Sequence, residues 1–240
     1  MKLRPDRVAS AEERLDQAGH SRATYERSLD RVAAVNRWLG GDRALWKALR
    51  PRLPRSGTVR ILDTGTGSAE VPRLLARRLR RVGLDPCIAA VDMHSDAVRL
   101  AAARTRGNEA IRVVRADAVR LPFRDGAFDF GLLTLTLHHL DDAGQIAALS
   151  ELGRVARTLI VGELERAWPN YFGARLLAAT LWRSDPITRH DGPLSVLRAF
   201  TPDELLAIAA AAGLRAPRVQ RRFYHRLLLI ADAPTRGREP

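Results

Sequence analysis

Over the middle of the chain, apolar and polar positions change rhythm in a regular way. Short apolar runs at residues 59–62, 87–91, 111–115, 128–137 and 159–161 have the length and composition of buried strands. Between several of them, residues 70–81, 95–106 and 141–156 carry apolar positions at helical spacing. Alternating strand and helix predicts a mostly parallel sheet with helices on both faces. Upstream, residues 21–39 read as an amphipathic helix bearing Tyr25, Leu29, Val32, Val35 and Leu39, stopped by Gly40-Gly41. Asp42 is placed to cap a short second helix that runs to Arg50 and ends at Pro51 and Pro54. Residues 1–19 show no such period and are expected to be frayed or loosely docked. Downstream come a helix around residues 171–182, an irregular stretch at 184–201, and a helix at 202–212 with Thr201 as N-cap and Gly213 as stop. Two final runs, 219–223 and 227–231, are close enough for an antiparallel hairpin at the sheet edge. The expected organisation is an N-terminal helical cap over residues 1–55 and one α/β domain over residues 56–240.

Composition narrows the picture. Apolar residues make up 46% of the chain, enough for a full core. No run approaches the roughly 20 apolar residues of a membrane helix. The first residues are charged (Lys2, Arg4, Asp6, Arg7) where a signal peptide would be apolar, so a cytoplasmic protein is expected. Cys87 stands alone, which rules out a disulfide framework and a cysteine-based zinc site. The net charge of +13 reads either as a nucleic-acid footprint or as a general preference for arginine. The second reading is favoured. Of the 40 basic residues all but Lys2 and Lys47 are arginines, the excess forms no block, and few aromatics accompany it.

The chemistry concentrates where strands are predicted to end. The first gives way to Asp63-Thr64-Gly65-Thr66-Gly67-Ser68-Ala69-Glu70, a glycine turn that lets a nucleotide approach the main chain closely. A dinucleotide fingerprint would need glycine where Glu70 stands, and a carboxylate there would repel a pyrophosphate. A nucleoside bearing a zwitterionic amino acid tolerates acids at this turn, and Asp63 can face its ammonium. Asp92 ends the second strand, 25 residues after Gly67, near the spacing of a ribose-binding acid. Asp117 ends the third, as an adenine-amine acceptor or as a plain turn residue.

Taken together, LDTGTGSAE, VDMHSDAV, RADAVRLPFRDGAFDF and LTLHHL resemble the motifs of class I S-adenosylmethionine-dependent methyltransferases, most closely the ubiquinone- and menaquinone-biosynthesis type. The resemblance spans about residues 59–140. It implies a Rossmann-like, doubly wound seven-stranded sheet, mostly parallel with the last strand antiparallel. It implies S-adenosylmethionine as cofactor, with Asp63, Gly65 and Gly67 around the methionine moiety, Asp92 on the ribose, and Asp117 with Ala118 at the adenine. Met93 and Leu135 complete the expected cofactor-binding set. Ala69 departs from the pattern, standing where these enzymes often carry a third glycine. More weakly, RSLDRVAAVNRWLGG and ITRHDGPLSVLRAFTPDEL resemble bacterial methyltransferases associated with type III polyketide synthases, which implies secondary metabolism and a phenolic or polyketide-derived acceptor.

Acceptor-site candidates follow from position. His138, His139, Glu163 and Glu165 leave strands four and five at their carboxyl ends, where ligands of open α/β sheets bind. His139 and His190 are the candidate bases for deprotonating an acceptor. His190-Asp191 sits in the stretch read as irregular, either folding over the site or forming a local turn. Trp168, Tyr171, Phe172 and Trp182 can wall an apolar acceptor pocket or simply be core. Residues 21–39 can serve as a lid presenting Tyr25, Arg31 or Asn36, or as a packing helix. No metal is expected, because the sequence places no further ligand beside the histidines. The expected activity is methyl transfer to a small molecule. The alternatives are an RNA methyltransferase and a catalytically inactive partner protein of the same fold.

Overall fold

The computed structural model describes residues 4–8, 11–17 and 20–234. Its strands are β1 (Thr58–Thr64), β2 (Asp85–Asp92), β3 (Ile111–Arg115), β4 (Phe128–Thr134), β5 (Ala156–Leu164), β6 (Arg215–Arg222) and β7 (Arg226–Asp232). They form one sheet in the order β3-β2-β1-β4-β5-β7-β6. The pairs from β3 through β5 are parallel, whereas β7 runs antiparallel to both β5 and β6. This is the Rossmann-like arrangement expected, with the two final strands as an antiparallel hairpin.

Helices cover both faces. On one, α2 (Gly41–Leu49) and α3 (Glu70–Arg81) bury Leu45, Leu49, Leu75 and Leu79 against Ile61, Ile88, Phe130, Leu132 and Ile160. On the other, α5 (Asp142–Val155) and α8 (Pro202–Ala211) bury Leu149, Leu152, Leu205 and Ala209 against Leu62, Leu133, Leu159 and Leu229. Each side chain of that size contributes about 1.5–3 kcal/mol by leaving water. Gly131 lets α5 lie close on β4: a Cβ there would stand 2.8 Å from Leu152 and 2.9 Å from the Ala156 Cβ. α4 (Ser95–Thr105) packs on β2 and β3. No helix among the described residues is long and apolar enough to cross a membrane.

Several local expectations need correction. Strand β4 stops at Thr134 and not at 137, because Leu135 takes a left-handed φ of 54° and Leu137–His139 form a 3-10 turn. Gly40 caps α2 in the left-handed region, which puts Asp42 inside the first turn. The stretch 184–201 is mostly helical, forming α7 (Pro186–Arg198). Asp185 caps it by accepting from the amides of Ile187 and Thr188, and Pro186 suits the first turn, while the internal Pro193 masks the helical signal. The aromatic helix, α6 (Trp168–Ala179), starts earlier than read.

At the N-terminus, the expectation that residues 1–19 are frayed or loosely docked falls partly outside the described residues, at 1–3, 9–10 and 18–19. The described parts are docked. Val8 N–H donates to Leu197 O at 3.1 Å, Arg166 holds Pro5 O, and Asp191 accepts both the Arg14 and Leu15 amides at 2.9 Å. Residues 11–17 thus form a strap along α7, followed by α1 (Arg22–Trp38), which packs on α2, α4 and α7.

Candidate active site

The strand order reverses between β1 and β4, and the crevice beyond that switch point is where open α/β sheets bind ligands. The glycine turn lies there. Gly65, Gly67 and Ala69 all take left-handed φ angles, of 69°, 53° and 59°. Gly65 has a further constraint, because a Cβ would stand 2.2 Å from Thr136 Oγ1. The turn is drawn toward β2 by Asp92, whose Oδ2 accepts the Gly67 amide at 2.9 Å and whose Oδ1 accepts the His94 amide at 3.0 Å. Ser95 opens α4 but does not cap it. His94 occupies the cap position without a side-chain bond.

Asp63 is 2% exposed and accepts one side-chain hydrogen bond, from Thr66 Oγ1 at 2.6 Å. Burial, reinforced by the nearby Asp92 and opposed by the Thr66 bond, pushes its carboxyl up to about 7. Thr64 Oγ1 and Thr134 Oγ1, at the ends of β1 and β4, are buried without a partner. The turn therefore offers two buried carboxylates, Asp63 and Asp92, which fit a neutral or cationic nucleoside better than a pyrophosphate. Glu70 is engaged by Arg73 and, at 3.8 Å, by Arg37.

The structure brings Asp63, Gly65, Gly67 and Asp92 together at this turn. Met93 follows, 51% exposed. Asp117 lies on the rim, exposed, its Oδ1 accepting the Val119 amide, with the half-buried Ala118 beside it. Leu135 is half-buried, its amide bonded to Gly162 O. Helix α1 lies over the turn: a Cβ at Gly67 would stand 3.5 Å from Leu29, and Tyr25 is buried close enough to Asp92 and Asp16 that burial and their charges raise its pKa. Arg31 and Asn36 are engaged elsewhere, with Asp185 and Asp42.

The two histidines leave β4 in different company. His138 is 3% exposed, and its Nδ1 lies 2.7 Å from Glu163 Oε2. Glu163 is fully buried; burial opposes its charge, but His138, His139 and the Leu137 amide outweigh it and hold the pKa low. His139 Nδ1 lies 2.7 Å from Asp16 Oδ2 on the strap. Burial disfavours its charge, yet Asp16, Glu13 and Glu163 raise its pKa to about 9. His190 sits on α7, partly exposed, with Nδ1 2.8 Å from Asp191 Oδ1. Glu165 turns away, toward Arg221. Trp168 and Phe172 stack at the surface, whereas Trp182 is buried against Gly192. Glu13 and Asp16 were missed by sequence reasoning; nothing in the polar run AEERLD marks either as a site residue.

No curated protein sequence matches the chain. Solved structures share its fold. A SAM-dependent methyltransferase from Aquifex aeolicus superimposes with a TM-score of 0.58 at 19% identity, over 78% of this chain and 88% of that one. The [4+2]-cyclase SpnF gives 0.57 at 21% identity, over 81% of each chain. PigF with SAH gives 0.53 at 20% identity, over 72% of this chain and 50% of that one. In sequence, residues 61–158, from within β1 to within β5, match the family model described as a methyltransferase domain.

Proposed function

We propose that the chain binds S-adenosylmethionine in the crevice beyond β1, β2 and β4 and transfers its methyl group to a small-molecule acceptor, a phenolic or polyketide-derived hydroxyl of secondary metabolism. The observation that carries this reading is the convergence of buried Asp63 and Asp92 on the Gly65–Gly67 turn, with the Gly67 amide held by Asp92. The methyltransferase-domain match supports it, as do the neighbours described as a SAM-dependent methyltransferase and as holding SAH. In this reading residues 56–240 are the catalytic domain and residues 1–55 its cap.

The bound cofactor supplies a methyl group already made electrophilic by its sulfonium. The chain's own part is alignment and exclusion of water. Asp63, whose carboxyl burial raises to about 7, would be drawn into its ionised form by the facing ammonium. Asp92 accepts from the ribose hydroxyls through the lone pairs its two amide bonds leave free. Asp117 and Ala118 border the adenine, and Met93 and Leu135 flank the nucleoside. Helix α1 and the strap shield the turn from solvent. His139 and His190 are the candidate groups for taking the acceptor's proton. His139 is held by Asp16 in this closed arrangement, so His190, oriented by Asp191, is the freer of the two.

The test is incubation with S-adenosylmethionine and a panel of phenolic polyketides, following S-adenosylhomocysteine. Turnover is expected with at least one phenol, and a drop of about 10²–10⁴-fold in His190→Ala or His139→Ala if a base is used. Full turnover in both variants removes the base. Turnover on RNA alone, steeply salt-sensitive, contradicts the small-molecule acceptor.

A further inference from the structure

We propose that Glu13, His138 and His139 form a binding site for a divalent transition-metal ion of the zinc class, which ties the N-terminal strap to the end of β4. One ligand atom from each of the three lies within 4.8 Å of the others. The Glu13 oxygens stand 3.7 Å from His138 Nε2 and 3.9 Å from His139 Nε2. Those separations are too long for hydrogen bonds. They approach the ligand-to-ligand spacing of about 3.3–3.4 Å that follows from tetrahedral zinc bonds of about 2.0–2.1 Å.

Three further features point the same way. Each imidazole has its Nδ1 paired with a different carboxylate, His138 with Glu163 and His139 with Asp16, both at 2.7 Å. A metal-ligating histidine characteristically donates its other ring N–H to a carboxylate, which fixes the tautomer and leaves Nε2 to the metal. Here both Nε2 atoms face the same carboxylate. Second, Glu13 is 3% exposed, yet among the described residues its carboxylate accepts a single hydrogen bond, from Ser195 Oγ at 2.9 Å. A buried carboxylate so poorly served is costly unless a cation completes it. Third, the cluster gathers three carboxylates, Glu13, Asp16 and Glu163, around two imidazoles. The nearby guanidinium of Arg198 is engaged with main-chain oxygens of His138, His139 and Ala11. Two histidine nitrogens and one carboxylate suit zinc and its neighbours in the transition series, and three protein ligands leave a fourth position for water. The third ligand absent from the sequence-level picture is supplied by the strap. With the ion bound, His139 Nε2 is a ligand and His190 is left as the candidate base; cofactor binding at the glycine turn does not depend on the site.

The experiment is titration of the EDTA-stripped, full-length protein with Zn²⁺ alone by calorimetry, and with Co²⁺ by visible absorption. One ion per chain is expected, with the absorption of tetrahedral cobalt. Binding should weaken at least about 100-fold in Glu13→Gln and His138→Gln, and about 10–100-fold in Asp16→Asn, whose side chain only orients His139. Glu13→Gln lies on the strap, outside the sheet's core, and serves as the deciding variant if His138→Gln does not fold. Absence of stoichiometric binding overturns the proposal. So does binding that Glu13→Gln leaves unchanged, since the ion would then sit elsewhere.

Discussion

Gly65 shows how much one residue's geometry can determine. Its φ of 69° favours glycine, and a methyl group would collide with Thr136. Gly65→Ala is expected to destabilise the fold by about 1–3 kcal/mol and to abolish cofactor binding, read by thermal melting and calorimetry. Asp63 gives a pH-dependent prediction. Its folded pKa, about 7, lies above the unfolded value of 3.8, so the folded state holds the proton more tightly. The wild type therefore loses stability as pH rises from about 4 to about 7, by an amount on the order of 3–4 kcal/mol. Asp63→Asn keeps an acceptor for Thr66 and removes that penalty. In urea melts it should be more stable than the wild type at pH 8, with the advantage vanishing near pH 4, while its affinity for S-adenosylmethionine falls. Equal pH dependence in the two proteins would contradict the buried, ionisable role of Asp63.

At the scale of elements, α7 is where the strap and α1 are fastened to the body. Asp185 caps that helix and also takes an ion pair from Arg31 of α1, at 2.7 Å, joining the two. Asp185→Ala should cost about 2 kcal/mol through the lost cap and the stranded Arg31, measured by chemical denaturation. Element type was legible wherever periodicity was uninterrupted. The spacing of Leu75, Ala76 and Leu79 defines α3 within the limits expected, and β3 spans residues 111–115 as read. The sequence-level picture failed where local rules compete. Pro193 and Gly192 look like loop residues, yet Gly192 sits in α7 because only glycine leaves room for the Trp182 ring. The apolar run through Leu137 looks like continued strand, but left-handed Leu135 ends β4 and turns the histidines toward the strap. The meeting of Asp63, Gly65, Gly67 and Asp92 at one turn was legible because each lies at a strand end or in the turn that follows it. Glu13 and Asp16 were not, since their partners lie more than a hundred residues away and the strap docks through polar and main-chain contacts.

At the scale of the whole molecule, the N-terminal segment touches several parts of the candidate site. Helix α1 lies against the glycine turn through Leu29, and the strap is bonded to His139 and to Asp191 of α7. Amides of residues 14 and 15, bonded to Asp191, are expected to exchange slowly in the ligand-free protein and more slowly still with S-adenosylmethionine bound, measured by hydrogen exchange. Unchanged exchange on saturation would separate the strap from the binding event.

The central claim, that the turn built from Asp63, Gly65, Gly67 and Asp92 binds S-adenosylmethionine, is tested most directly by calorimetric titration of the wild type and Asp92→Ala with S-adenosylmethionine and, separately, NADH. Saturable binding of S-adenosylmethionine alone, lost in the variant, is the expected result. Binding of NADH in its place, or S-adenosylmethionine affinity indifferent to Asp92, would contradict the claim.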